Sequence, residues 1–132
     1  MEAFLFDCDG VLFRGTNVIA GAPELVERLN ALGKKVLFVT NNATKSRQDN
    51  VEKLTSMGIP ARGPEQVICS SFSAARYLAH QGHKTAFVVG ESGLDDELRL
   101  AGVSPHRAEE PACDAVVVGL DRRFCYESMA ML

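Results

Sequence analysis

Five short apolar runs constrain the fold of this 132-residue chain more than any other feature of its sequence. They cover residues 4–6, 36–39, 67–69, 86–89 and 115–118. None of them alternates apolar with polar residues, as a strand with one solvent-facing side would. Strands without that alternation are covered on both faces, which is typical of parallel sheets. The runs therefore predict five strands of a buried parallel sheet.

Segments with helical spacing of apolar residues lie between these runs. They cover residues 23–32, 46–57, 71–81 and 94–101, and a glycine follows each one. Parallel neighbours in a sheet must be joined by a crossover, which is usually a helix. The alternation of strand and helix therefore predicts an α/β fold with a Rossmann-like, doubly wound parallel sheet.

The charge and cysteine content argue against several classes of protein. Lys and Arg number 14 and Asp and Glu 17, so the net charge is −3, and the cations form no stripe that would hold a nucleic-acid backbone. The four cysteines show no C-x-x-C pair, so neither a zinc site nor a disulfide framework is indicated. We expect no nucleic-acid partner and a reducing compartment.

The ends and apolar segments of the sequence indicate where the protein resides. No segment approaches the ~18 apolar residues that a membrane-spanning helix needs. The first residues reach Asp7 without the basic region of a signal peptide. We therefore expect a cytoplasmic protein with no membrane partner, while an organelle transit peptide removed ahead of Met1 stays open.

Two carboxylates follow the first apolar run. Asp7 and Asp9 are two residues apart, and an extended backbone points such residues to the same side. The pair repels itself unless a cation or a shared proton compensates, and Mg²⁺ with oxygen ligands is the usual cation. Gly10 follows, where a sharp turn needs a positive φ. The same residues are also typical of a strand that ends in a polar turn, and the motif alone favours neither interpretation.

A calcium-binding loop is a further interpretation of the aspartates, and its spacing fails. If Asp7 held the first position of such a loop, Leu12 would stand at the glycine position and Val18 at the glutamate position. The aspartates therefore do not belong to a calcium loop of this kind.

The second apolar run ends in Thr40, Asn41 and Asn42. Ligands of open α/β sheets bind beyond the carboxyl ends of the strands, which is where these residues and the two aspartates are expected. Hydroxyl and amide groups suit phosphate oxygens and add no negative charge beside Asp7 and Asp9. The three residues are therefore candidates for substrate binding.

Several segments together resemble one family. FDCDGVL at residues 6–12, GAPE at 21–24 and VTNNATKSR at 39–47 are similar to the haloacid dehalogenase superfamily. Within it they resemble the branch of phosphoglycolate phosphatase, pyridoxal phosphate phosphatase and p-nitrophenyl phosphatase. The similarity continues through residues 70–75, 90–98 and 116–121, so it spans nearly the whole chain in order.

The resemblance implies a chemistry for these residues. Asp7 would be the nucleophile that forms an aspartyl-phosphate, and Asp9 the general acid and base. Mg²⁺ would bind the Asp7 carboxylate and the Asp9 backbone carbonyl. Thr40 would hold a phosphoryl oxygen, with Asn41 and Asn42 beside it. The implied function is hydrolysis of a small phosphorylated metabolite.

The sequence also departs from the family. The family completes its site with a lysine and a later G-D-x-x-x-D motif, whereas the last lysine here is Lys84 and no such motif follows. Asp95 and Asp96 are acidic but do not form this motif; we expect them in the solvated first turn of a helix. We expect residues 1–120 to be the N-terminal portion of the core and residues 121–132 to begin a cap segment, so that the core is shortened, the cap largely absent and the site incomplete.

The sequence also allows two other functions and the formation of a homodimer. The chain could be a non-catalytic remnant or splice form that binds a partner or phosphate. A phosphoacceptor signalling domain ranks last, because such domains carry an aspartate after the third strand, where this chain has Cys69, Ser70 and Ser71. An exposed sheet edge favours self-association, which leaves a homodimer open.

Overall fold

The computed structural model describes residues 2–107 and 112–130. The chain divides into two compact units. Unit 1 comprises residues 1–41 and 47–68, and unit 2 comprises residues 42–46 and 69–132. The boundaries fall after residues 41, 46 and 68, while the expected start of a cap segment at residue 121 stays a prediction.

Eight strands and five α-helices follow one another within the described ranges. The strands are β1 Ala3–Asp7, β2 Phe13–Arg14, β3 Asn17–Val18, β4 Lys35–Thr40, β5 Val67–Cys69, β6 Thr85–Val89, β7 Ser104–His106 and β8 Ala115–Val118. The helices are α1 Ala22–Ala31, α2 Arg47–Ser56, α3 Ser70–His80, α4 Ser92–Leu100 and α5 Tyr126–Ala130. A 3₁₀ turn, Pro64–Gln66, precedes β5.

The predicted parallel α/β fold is confirmed, but the expected burial of all five strands is wrong, because β1 and β8 each expose apolar side chains such as Leu5 and Val118. All five apolar runs are strands, and the four predicted helices begin within two residues of the expected positions. The strands form two three-stranded sheets, ordered β1-β4-β5 and β7-β6-β8, and β2 pairs with β3 in a separate hairpin. β4 lies parallel to β1, and both β7 and β8 lie parallel to β6.

Unit 1 is built around α1, β4 and α2. Pro23 lies in the first turn of α1, where its missing N–H costs nothing, and the helix stops ahead of Gly33, whose φ is 68°. One apolar face of these elements is removed from solvent, whereas Leu25 on α1 is 47% exposed. The buried side chains include Val26, Leu29, Val36, Phe38 and Leu54.

Unit 2 has its own apolar cluster between α3, α4 and β6. Its buried members are Ala75, Leu78, Ala86, Val88, Leu94, Leu98 and Val103. Asp114 connects the starts of two strands, because its Oδ2 accepts hydrogen bonds from the amides of Lys84 at 2.7 Å and Thr85 at 3.0 Å. These amides hold the pKa of Asp114 below its usual value.

The expectation that Asp95 is solvated is wrong. Only 13% of its side chain is exposed, and its Oδ2 lies 2.7 Å from a guanidinium nitrogen of Arg107. Asp96, half exposed and 3.5 Å from Arg99, fits the expectation better. Arg107 follows β7, a three-residue strand that is too short to predict from apolar spacing. Nothing in the sequence therefore indicated that Arg107 would pair with Asp95.

No helix within the described residues has both the length and the apolar content to cross a membrane.

Candidate active site

Two exposed carboxylates lie at the end of β1, and a buried cysteine lies between them in the sequence. Asp7 and Asp9 are exposed, whereas Cys8 between them is 3% exposed. This alternation is what an extended backbone produces at the surface of a packed core. The two carboxylates therefore reach solvent while Cys8 belongs to the core.

A tight turn follows the carboxylates and leads into the β2–β3 hairpin. The Cys8 carbonyl accepts hydrogen bonds from the amides of Leu12 at 3.0 Å and Phe13 at 3.3 Å. Gly10 has a φ of 89°, which confirms that the turn needs a residue without a Cβ, and its amide donates to the Phe13 carbonyl at 2.7 Å. The Lys53 ammonium lies 3.8 Å above the buried Phe13 ring and connects α2 to the hairpin.

Thr40 lies at the end of the strand beside β1. In the parallel register Asp7 is opposite Val39, and the Cys8 amide donates to the Val39 carbonyl at 3.1 Å. Thr40 is therefore one residue beyond the partner of Asp7, and it is 5% exposed. Asn41 follows it and is exposed. Unit 1 thus brings Asp7, Asp9, Thr40 and Asn41 to the carboxyl ends of two paired strands.

Asn42 belongs to unit 2, although it follows Asn41 directly in the chain. Its Oδ1 accepts hydrogen bonds from both the amide and the hydroxyl of Thr44, each at 2.7 Å. This side chain therefore shapes the loop it begins, which agrees with the interpretation of Asn42 as part of an asparagine-rich turn before a helix.

The donors at the end of β1 fit Mg²⁺ on chemical grounds. Mg²⁺ is usually held by one or two carboxylates, with water and substrate phosphate oxygens completing its shell. Asp7 and Asp9 supply two exposed carboxylates, and the described part of the chain contains no group of three or more His, Cys, Asp or Glu that could hold a metal. The residues thus suit a hydrated Mg²⁺ better than a metal held by protein alone.

A charged pair in unit 2 was missed by the sequence analysis. Glu91 follows β6, and its two carboxylate oxygens accept hydrogen bonds from Arg122 Nε at 2.8 Å and a terminal nitrogen at 2.6 Å. The Arg122 amide also donates to Glu91 Oε1 at 3.1 Å. These bonds lower the pKa of Glu91 to about 2. No local signal connects two residues that are 31 positions apart.

The family of the chain follows from comparison with known proteins. A family model described as haloacid dehalogenase-like hydrolase matches residues 4–104, which is more than half of the chain. The chain belongs to this haloacid dehalogenase-like hydrolase family.

Individual relatives carry the names of phosphatases. Phosphoglycolate phosphatase 1A, chloroplastic, of Arabidopsis thaliana is 40% identical over 96% of this chain and 40% of its own length. The solved structure of a p-nitrophenyl phosphatase from Archaeoglobus fulgidus is 34% identical, covers 98% of this chain and 48% of its own, and has a TM-score of 0.85.

A third relative was solved with a metal. The glycerol phosphate phosphatase of Mycobacterium tuberculosis in complex with magnesium is 34% identical, with a TM-score of 0.83 over 98% of this chain and 39% of that one. The chain spans about half or less of the length of the curated relatives it matches. The predicted branch of phosphatases is thereby confirmed, while the roles of the individual site residues stay predictions.

Proposed function

We propose that this chain contributes the nucleophile end of the active site of a Mg²⁺-dependent phosphomonoester hydrolase. One observation carries the proposal: two exposed carboxylates at the end of β1 lie beside the buried Thr40 at the end of β4, in register. Membership of the hydrolase family and the phosphatase names of the relatives support it.

Asp7 is the nucleophile in this proposal. One of its carboxylate oxygens forms a bond to phosphorus, and the bond from phosphorus to the ester oxygen breaks. Asp9 donates a proton to the leaving oxygen, so that an alcohol departs and an aspartyl-phosphate remains. Asp9 then takes a proton from water as the water oxygen attacks phosphorus, which releases inorganic phosphate and restores the Asp7 carboxylate.

Thr40 and the two asparagines bind the phosphoryl group. The Thr40 hydroxyl and the amide groups of Asn41 and Asn42 are neutral, so they donate to phosphate oxygens without repelling the nucleophile. Mg²⁺, held by the Asp7 carboxylate and the Asp9 carbonyl, would offset negative charge on the transferred group when bound. A neighbour solved with magnesium supports this choice of ion.

The substrate class is a small phosphorylated metabolite, encountered in the cytoplasm. The relatives are named for phosphoglycolate, glycerol phosphate and p-nitrophenyl phosphate, which are small monoesters with different leaving groups. A homodimer stays open as the functional form.

The non-catalytic alternative rests on one observation. Residues 85–132 contain no lysine, whereas phosphoryl-transfer sites ordinarily use a cation to neutralise the transferred group. Without such a cation from another segment, the residues proposed here would bind phosphate and Mg²⁺ without turnover.

Release of p-nitrophenolate from p-nitrophenyl phosphate distinguishes the two functions. The purified chain is assayed with and without Mg²⁺, beside Asp7→Asn and the control Asp96→Asn, which removes the same charge from a half-exposed position on α4. Hydrolysis should require Mg²⁺, fall by roughly 10³-fold or more in Asp7→Asn, and persist in Asp96→Asn. Equal and measurable rates for the wild type and Asp7→Asn would contradict the role of Asp7, whereas Mg²⁺-dependent phosphate binding by a wild type without turnover would favour the alternative.

A further inference from the structure

Segment 42–46, here called the asparagine loop, is fixed by unit 2. It follows Thr40 and Asn41 directly and belongs to the same compact unit as α3 and α4. Thr44 and Ser46 within it are 8% and 5% exposed, which is unusual for a polar loop. Neighbouring elements must therefore cover it.

Gly93 in the first turn of α4 permits the closest of these approaches. A Cβ on Gly93 would lie 2.2 Å from the carbonyl carbon of Lys45 and 2.4 Å from both Lys45 Cα and the Ser46 nitrogen. These are backbone atoms, so no side-chain rotation could relieve the overlap. The φ of Gly93 is not positive, so any residue could adopt its backbone conformation. Glycine is needed here because a side chain would have no room beside the backbone of Lys45 and Ser46.

Ser71 in the first turn of α3 holds the same segment by a hydrogen bond. Its side chain is fully buried, and its hydroxyl donates to the Lys45 carbonyl at 2.9 Å. The Cys69 Sγ lies 3.1 Å from the Ser71 Oγ. Removing this hydroxyl would remove a hydrogen bond that the Lys45 carbonyl accepts.

A third contact lies at the start of the loop. A Cβ on Gly119, just after β8, would lie 3.3 Å from the Ala43 Cβ, so Ala43 is already close to this backbone. Within the loop, the orientation of the Asn42 side chain is fixed by Thr44, whose amide and hydroxyl both donate hydrogen bonds to Asn42 Oδ1. The loop is thus held at Ala43 and Lys45, on either side of Thr44.

We propose that Gly93 and Ser71 are positioning residues, which hold the asparagine loop so that Asn42 presents its amide groups to a phosphoryl oxygen. Neither residue is a catalytic group, because both contact the backbone at Lys45 rather than the proposed substrate. This inference rests on the proposed function for its phosphate and on the contacts at Lys45 for its geometry.

Two measurements on the full chain test the proposal. The first is amide hydrogen exchange at Thr44, whose N–H donates to Asn42 Oδ1. The second is the Kd for inorganic phosphate in the presence of Mg²⁺. The variants are Gly93→Ala and the milder Ser71→Ala, with melting temperature and exchange at Val88 in β6 as checks of the remaining fold.

Each variant has a matched control on its own helix. Ser92→Ala changes the exposed neighbour of Gly93. Ser73→Ala removes the hydroxyl that donates to the Cys69 carbonyl at 3.1 Å and so deletes a hydrogen bond that does not involve the loop. A general loss of stability would lower the melting temperature of a variant without changing the Kd of its folded fraction.

Both variants should speed exchange at Thr44. Ser71→Ala should raise the phosphate Kd by about ten-fold, which corresponds to the loss of about one hydrogen bond, and Gly93→Ala should raise it further, because its Cβ would displace the backbone at Lys45. Both controls should match the wild type. Unchanged exchange and unchanged Kd in both variants would overturn the inference. If the variants exchange faster at Thr44 but the wild-type chain binds no phosphate, Gly93 and Ser71 do position the loop, and the proposed phosphate site is contradicted.

Discussion

Leu98 supports the helix that carries Gly93, and its truncation should loosen unit 2. Leu98 is fully buried, and its cluster contains Leu78, Val88, Leu94 and Val103. Leu98→Ala deletes three carbons, each worth about 0.8 kcal/mol of transfer free energy, and leaves a cavity that the packed neighbours fill only in part. We expect the free energy of unfolding of unit 2 to fall by about 3 kcal/mol, within the usual range for buried leucines.

Leu100→Ala on the same helix is the matched control, because Leu100 is 73% exposed. It should change the free energy of unfolding by less than about 0.5 kcal/mol. Urea unfolding followed by far-UV circular dichroism gives the stability, and hydrogen exchange of the β6 amides localises the loss to unit 2. The packing argument fails if the two variants differ by less than about 1 kcal/mol, since burial is the main difference between these leucines.

Two further predictions concern a titration and a turn. The hydrogen bonds from Arg122 lower the pKa of Glu91 to about 2, so their stabilising effect should be complete above the ordinary value of 4.5 and disappear as the pH falls towards 2. Carboxyl-carbon NMR should show the Glu91 pKa rising towards 4.5 in Arg122→Ala, and an unchanged pKa would refute this cause. Gly10→Ala should cost about 1–2 kcal/mol in urea unfolding, from its φ of 89° alone, since a Cβ there meets no atom within 4 Å. A much larger loss would point to a clash.

The five apolar runs made most of the fold predictable. A run such as 36–39 contains only apolar residues, so its strand follows from composition and spacing, although only Val36 and Phe38 within it are fully buried. The hairpin of β2 and β3 was not predicted, because two-residue strands are too short to show a period. The grouping of strands into two sheets depends on pairings between distant segments, which local spacing does not contain.

The candidate site divides in the same way. Asp7, Asp9 and Thr40 could be placed at or near strand ends from local sequence, because Asp7 and Thr40 each follow an apolar run directly and Asp9 comes two residues after Asp7. The roles inferred for Ser71 and Gly93 could not, since both depend on the backbone at Lys45, which is 26 or more positions away in the chain. Asp95 illustrates the limit most clearly, because helix position predicted a solvated carboxylate, whereas its Oδ2 pairs with Arg107, 12 positions further along the chain.

The asparagine loop makes unit 2 a discontinuous piece of the polypeptide. The chain enters unit 2 at residue 42, leaves it after residue 46 and returns at residue 69. A fragment that starts at Cys69 would therefore retain the hydroxyl of Ser71 but lose the carbonyl to which it donates. During synthesis on the ribosome, the loop must wait for Gly93 to emerge before its closest contact can form. Neither a simple truncation nor the early nascent chain can reproduce unit 2, whose assembly depends on two stretches of sequence separated by α2.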